Sequence, residues 1–332
     1  AQCLVGSEMC IRDSDYPMGL KFVRHNTYEF YKELASAKVI IENTNIVERL
    51  YAYKKKEQFL LQTWHGSLGI KRLDGDVVMG FRWKQLAKRC QKTVDYLLSN
   101  SNFETEVFRT AYWKDVPSIL VGHARNDIFF IKDQEKVARI NKKVHRFLNI
   151  DEDTHIFLFA PTHRDDVDES YQPLNYEMIK EALEERFGGK WQIVIRLHNR
   201  LKKESRSWLN LLPSYVSDAT FYEDMQELLL CTDVGLTDYS SWIFDFVLSG
   251  KPGFIIELNL EDYENARGFY YPIDTTPFPI ATSSEELADN IRKFDAEKYA
   301  KDKDVFLAAR GCMEDGHASE RIVEKINELM AK

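Results

Sequence analysis

Asp233–Phe246, DVGLTDYSSWIFDF, is the stretch from which the fold of this chain is read. Val234–Thr237 is a continuous apolar run of strand length, the pattern of a strand buried on both faces. Asp238–Ser241 then reads as a tight polar turn, and a helix is expected to begin at Ser240 or Ser241, capped by those hydroxyls. A helix start fed by a strand offers backbone N–H groups to an anion. Ser240 and Ser241, with those amides, are therefore candidates for holding a phosphate or pyrophosphate, and Asp238 in the same turn is a candidate on the donor side.

The same order, an apolar run followed by a polar cluster, recurs along the chain. FLLQ leads into TWHGSLGIKR, SILV into GHARND, IFLFA into PTHRDD and IVIR into LHNR. Candidate strands are Lys38–Ile41, Phe59–Gln62, Tyr96–Leu98, Ser118–Val121, Ile156–Ala160, Gln192–Leu197, Val234–Thr237 and Phe254–Glu257. Amphipathic stretches alternate with them, which is the grammar of an α/β fold with parallel sheets. Such sheets bind ligands at the carboxyl ends of their strands, so the polar clusters are expected to converge on a cleft between two lobes.

At 332 residues the chain exceeds one ordinary core, and two lobes are expected. Val137, Ile140, Val144, Phe147 and Leu148 recur at helical spacing within Lys132–Asn149, placing a linker at 132–154 between lobes at 15–131 and 155–313. Residues 314–332 carry a closing helix, Ala318–Ala331, free to pack on either lobe. Residues 1–14 match neither the helical nor the strand period and are set aside as a non-native or disordered extension.

The net charge of −8 speaks against nucleic acid as the main partner, since that would require a basic face. No apolar run reaches the ~20 residues of a membrane span, so a membrane role would be peripheral. Five cysteines form no CxxC pair, and HExxH is absent, so neither a zinc site nor a disulfide framework is suggested. The absence of GxxxxGK[ST] and GxGxxG argues against P-loop and dinucleotide binding.

Among the strand-end residues, His65 stands between Trp64 and Gly66 with Lys71 and Arg72 downstream, and an imidazole can take a proton from an attacking hydroxyl. His198 lies between Arg196 and Arg200, where guanidiniums suit phosphate oxygens. Thr162 and Arg164 are the favoured ligands of the PTHRDD cluster. Arg125, Asn126 and Asp127 end the first lobe. No metal ligand set is assigned, and a divalent ion is not required.

Taken together, TWHGS, GHARND, APTHRDD, RLH, TDYSSWIFDF, RGFYY and DGHASERI resemble the CDP-glycerol glycerophosphotransferase family of teichoic acid synthesis, in order and spacing from about Phe22 onward. The resemblance implies a GT-B architecture of two Rossmann-like lobes, and transfer of a polyol phosphate from CDP-glycerol or CDP-ribitol to a lipid-linked polyol-phosphate or saccharide acceptor with release of CMP. It implies His65 and His198 as the essential histidines, Ser240 and Ser241 as phosphate ligands, and Arg267 as the RGFY arginine. Thr162, Arg164, Arg196, Asp238, Ser240, Ser241 and Arg267 are thus expected on the donor side, and Trp64, Gly66, Lys71, Arg125, Asn126 and Asp127 on the acceptor side.

Two departures stand out: His123–Ala124 where the family usually has Tyr-Pro, and Ser67–Leu68 where it has Thr-Pro. The first strand and helix of the N-terminal lobe also look missing, so the lobe is trimmed or the sequence is a fragment, and Lys38–Ile41 should lie at a sheet edge. A cytoplasmic enzyme, peripheral on an anionic inner leaflet through Arg82–Lys92 with Trp83 and Leu86, is the expected setting. The alternatives are a nucleotide-sugar glycosyltransferase or epimerase of the same architecture, and a non-catalytic polymer-binding protein.

Overall fold

The computed structural model describes residues 3–6, 21–44, 54–69, 71–77, 80–162, 174–197, 213–257 and 268–332. The chain divides into two compact units: Ala1–His65, Leu73–Ala124 and His317–Lys332 form the first, and Gly66–Arg72 with Arg125–Gly316 the second.

In the first unit, β1 (Cys3–Gly6) pairs in parallel with β2 (Lys21–Arg24), so the apolar tetrad CLVG, set aside on sequence grounds, finds a strand partner. Then follow α1 (Tyr28–Ser36), β3 (Val39–Glu42), β4 (Phe59–Gln62), α2 (Phe81–Thr93), β5 (Tyr96–Ser99), α3 (Asn102–Ala111) and β6 (Ser118–Leu120). The sheet runs β3-β4-β5-β6, all parallel, with β3 as an outer strand among the described residues. Its core gathers Val23, Phe30, Leu34, Ile40, Leu60, Leu97, Phe108 and Trp113. Val23 of β2 and Phe30 and Leu34 of α1 belong to this core, while among the described residues β2 pairs with β1 and not with the four-stranded sheet.

The second unit contains α4 (Gln134–Leu148), β7 (His155–Phe159), α5 (Tyr176–Phe187), β8 (Trp191–Ile195), β9 (Val216–Asp218), α6 (Met225–Cys231), β10 (Val234–Thr237) and α7 (Ile243–Phe246). It continues with β11 (Gly253–Ile256), β12 (Ile280–Ala281), α8 (Ser284–Arg292) and α9 (Ala296–Ala309). Asp133 caps α4 by accepting from the Glu135 and Lys136 amides, and Asn149 stops it in the left-handed conformation, φ 56°. The sheet order is β9-β8-β7-β10-β11-β12, parallel throughout. This is the 3-2-1-4-5-6 order of a Rossmann sheet, with its switch point between β7 and β10. Every residue of β8, β10 and β11 is buried, which is why these strands read as unbroken apolar runs.

The closing helix α10 (Ala318–Ala331) returns to the first unit. Ile322 and Ile326 pack with Leu98 and Val121, and Arg321 Nε donates to the Val121 carbonyl at 3.0 Å. Burying Ile322 and Leu329 stabilises that return by roughly 1.5–3 kcal/mol for each side chain.

Candidate functional site

Two strand ends beside the switch point build the centre of the second unit. Asp238 follows β10 and is 2% exposed. Its Oδ1 accepts from the Thr162 amide and from Thr162 Oγ1, both at 2.7 Å, and from the Tyr239 amide. Thr162, two residues beyond Ala160 at the end of β7, in turn accepts from Lys71 Nζ at 2.8 Å. The order ammonium, hydroxyl, buried carboxylate leaves Thr162 one proton to give and a lone pair for Lys71. Asp238 thus turns its charge inward, fixing two neighbouring loops.

Because Asp238 closes this turn, the serines do not. Helix α7 starts at Ile243 with Trp242 as N-cap and no side-chain cap bond, two to three residues later than the sequence reading placed it. Trp242 is pinned by its indole N–H, which donates to the Ala160 carbonyl at 2.7 Å. Ser240 and Ser241 occupy the turn half-buried, and among the described residues neither hydroxyl makes a hydrogen bond. A Cβ on Gly69 would come within 3.3 Å of Ser241 Cβ, so the 66–72 segment lies against the serine turn and glycine permits that approach.

That segment is clamped from several sides. Lys71 forms an antiparallel bridge with Phe269, the Arg72 amide donates to the Gly268 carbonyl at 3.2 Å, and Arg72 Nε to the Phe269 carbonyl at 3.1 Å. The Tyr271 hydroxyl donates to the Leu68 carbonyl. Burial raises the Tyr271 hydroxyl above its ordinary value, which keeps it a neutral donor. Ser67 and Leu68, the departure from the family pattern noted in the sequence, are both buried here.

Arg125 and Asn126 converge on Asp245 of α7. Arg125 Nε donates to Asp245 Oδ2 at 2.9 Å, a second guanidinium nitrogen reaches Asp245 Oδ1 at 3.3 Å, and that nitrogen also donates to the Gly66 carbonyl. Asn126, fully buried, donates to Asp245 Oδ1 at 3.0 Å and to Glu314 Oε1 at 2.9 Å, and accepts from Gln226 at 3.0 Å. Asp127 is half-buried in the same turn.

These contacts group the residues differently from the division read in the sequence. Gly66, Lys71, Arg125, Asn126 and Asp127, all read as acceptor-side residues of the first lobe, belong to the second unit, whose boundary falls at Arg125 and not at Lys132. The reason is the set of bonds to Thr162, Phe269 and Asp245. Sequence reading missed Asp245, Tyr271 and Glu314. Asp245 did carry a signal: a lone carboxylate inside the apolar run WIFDF, which calls for a buried partner.

In the first unit, Trp64 takes a positive φ of 52°, its amide donating to Gln62 Oε1 at 2.9 Å. The His65 ring lies 4.3 Å from the Trp64 ring, and its Nδ1 is 2.7 Å from the Asn43 carbonyl. A carbonyl only accepts, so Nδ1 carries the proton and Nε2 is the basic nitrogen of the neutral ring. His123, the other departure, is buried with Nε2 3.0 Å from the Glu104 carboxylate, which also accepts from the Asn100 amide at 2.9 Å. Arg196 is half-buried just past β8. Arg164, His198 and Arg267 lie outside the described residues.

Comparison with known proteins adds the relationship. A family model described as CDP-Glycerol:Poly(glycerophosphate) glycerophosphotransferase matches residues 10–328. The chain is 30% identical to the teichoic acid poly(glycerol phosphate) polymerase of Staphylococcus epidermidis over 94% of its own length but 44% of that protein's. It is 29% identical to the teichoic acid glycerol-phosphate transferase of Staphylococcus aureus, covering 97% of this chain and 83% of that one. A solved structure of the wall teichoic acid polymerase TagF, a variant soaked with CDPG, superposes with TM-score 0.79 at 28% identity, covering 98% of this chain and 81% of that one. The architecture is GT-B-like, with a parallel α/β sheet in each unit.

Proposed function

The chain belongs to the CDP-glycerol:poly(glycerophosphate) glycerophosphotransferase family, and on that premise we propose that it transfers glycerol phosphate from CDP-glycerol to a hydroxyl of a teichoic-acid acceptor, releasing CMP. The observation that carries this reading is the Lys71–Thr162–Asp238 relay at the ends of β7 and β10, with the Ser240–Ser241 turn beside it. A cation, two hydroxyls and loop amides at a switch point suit a pyrophosphate.

In the proposed step the acceptor oxygen attacks the glycerol-bearing phosphorus, the bond from that phosphorus to the CMP oxygen breaks, and His65 takes the acceptor's proton. Lys71 and the serines hold the donor, while Asp238 positions Thr162. Such a transfer depends on positioning and charge stabilisation, so no covalent intermediate is invoked. His198, Arg164, Arg196 and Arg267 are assigned to the donor phosphates and the departing CMP by family resemblance. No divalent ion is assigned a role. Incubation with CDP-glycerol and a short glycerol-phosphate acceptor is expected to release CMP and form a phosphodiester, with CDP-ribitol as the competing donor. A glycosidic product from a nucleotide sugar, or no CMP at all, would sink the reading.

A lipid-linked acceptor and contact with an anionic membrane surface form part of the same proposal. Among the described residues no helix is long and apolar enough to cross a membrane. Leu86, expected to insert, packs instead on the core of the first unit, since it shares a helix face with buried Cys90. The outward face of α2 offers Phe81, 76% exposed, with Lys84, Lys88 and Lys92. An aromatic beside cations suits an anionic interface. Changing Lys84 and Lys88 to Gln is expected to weaken sedimentation with anionic vesicles roughly thirtyfold, taking about 1 kcal/mol per cation. Unchanged sedimentation would remove α2 from this role.

A further inference from the structure

We infer that the exposed face of α4 is a second binding site, one for a phosphodiester polyanion, and that its occupant is the glycerol-phosphate polymer itself; the identity of that polymer rests on the reaction proposed above. Arg139, Lys142, Lys143 and Arg146 stand at i, i+3, i+4 and i+7. Helix geometry sets them in one row over about 10 Å of axis. Ile140, Val144 and Leu148 are buried on the other side, and both helix ends are capped, so the row cannot turn inward.

With Phe147 the four cations line a shallow depression of about 520 Å³. Nearby acids neutralise it only in part. Lys143 pairs with Glu227 at 2.8 Å, and Lys142 is 3.9 Å from exposed Glu152. Among the described residues Arg139 and Arg146 make no ion pair. In a chain of net charge −8 this face is a local reversal of sign, placed where a regularly charged polymer could lie along it.

The arrangement favours a repeating anion over the two nearest alternatives. A single phosphate reaches one or two cations of the row, whereas one charge per repeat can engage them all, so affinity should rise with chain length. A membrane would be better served by a free aromatic, and Phe147 is engaged edge-on with Tyr222 at 5.0 Å.

The test uses the full chain with Arg139, Lys142 and Arg146 changed to Gln, leaving Lys143 in its ion pair. Binding is measured to synthetic oligo(glycerol phosphate) of rising length, to glycerol 3-phosphate, to an oligodeoxynucleotide of equal charge and to anionic vesicles. The variant is expected to bind the longest oligomer about tenfold more weakly, as three exposed ion pairs would give. Its dependence on salt should flatten. CMP release with the shortest acceptor should stay unchanged, and a version with Arg139→Lys and Arg146→Lys beside the native Lys142 should keep the binding. Unchanged oligomer affinity, tighter binding of the oligodeoxynucleotide, or a loss seen only with vesicles would overturn the assignment. CMP release from the wild type tests the proposed reaction separately, so failure of one is not failure of the other.

Discussion

His65→Ala is expected to lower CMP release by about 10²–10⁴-fold at saturating donor and acceptor while CDP still binds, as loss of a general base does. The expectation comes from the ring's tautomer. With Nδ1 at 2.7 Å from the Asn43 carbonyl, the proton is fixed on that nitrogen and Nε2 carries the lone pair. Trp64, held in its positive-φ turn, lies against the ring and limits its rotation. Calorimetry with CDP and single-turnover CMP release separate the two quantities. Near wild-type turnover in the variant would show that another group takes the proton, whereas loss of CDP affinity would show that the residue serves the donor.

Asp245→Ala is expected to cost about 3 kcal/mol in stability, the lower end of what removing one partner of a buried pair costs, since Arg125 keeps a quarter of its side chain in solvent. Two donors each lose one acceptor at once, the Arg125 guanidinium keeping the Gly66 carbonyl and the fully buried Asn126 amide keeping Glu314. For a unit of this size the loss corresponds to a fall in Tm of roughly 6–12 °C. Asp245→Asn retains an acceptor oxygen without the charge and should fall between. A change under about 1 °C for the alanine variant would mean that the network holds nothing together. Because Arg125 also grips the Gly66 carbonyl, faster proteolysis within 66–72 in the alanine variant is the accompanying sign.

The sequence by itself determined the elements with strong internal signals. β4, β7, β8, β10 and β11 were legible because burial on both faces writes a continuous apolar run, and α4 and α10 because their apolar residues keep helical spacing. The short strands β9 and β12 were not legible: among the described residues VSD and IA are outermost in the sheet, each paired along one side, and they are too short to show a period. The motifs that carry the family also stood in the sequence as quoted.

Tertiary structure alone decided which residues share a unit. Gly66–Arg72 joins the second unit through partners 59 to 203 positions away, and no local pattern encodes contacts at that separation. It also decided what the polar residues of DVGLTDYSSWIFDF do. Read locally, the serines cap a helix and Asp245 is a charge out of place. In the fold, Asp238 closes the turn on Thr162, the serines stay in the turn, and Asp245 meets Arg125 and Asn126. A buried carboxylate is stable only where donors from elsewhere in the chain surround it, so its partners are fixed by the packing of distant segments and not by its neighbours in sequence.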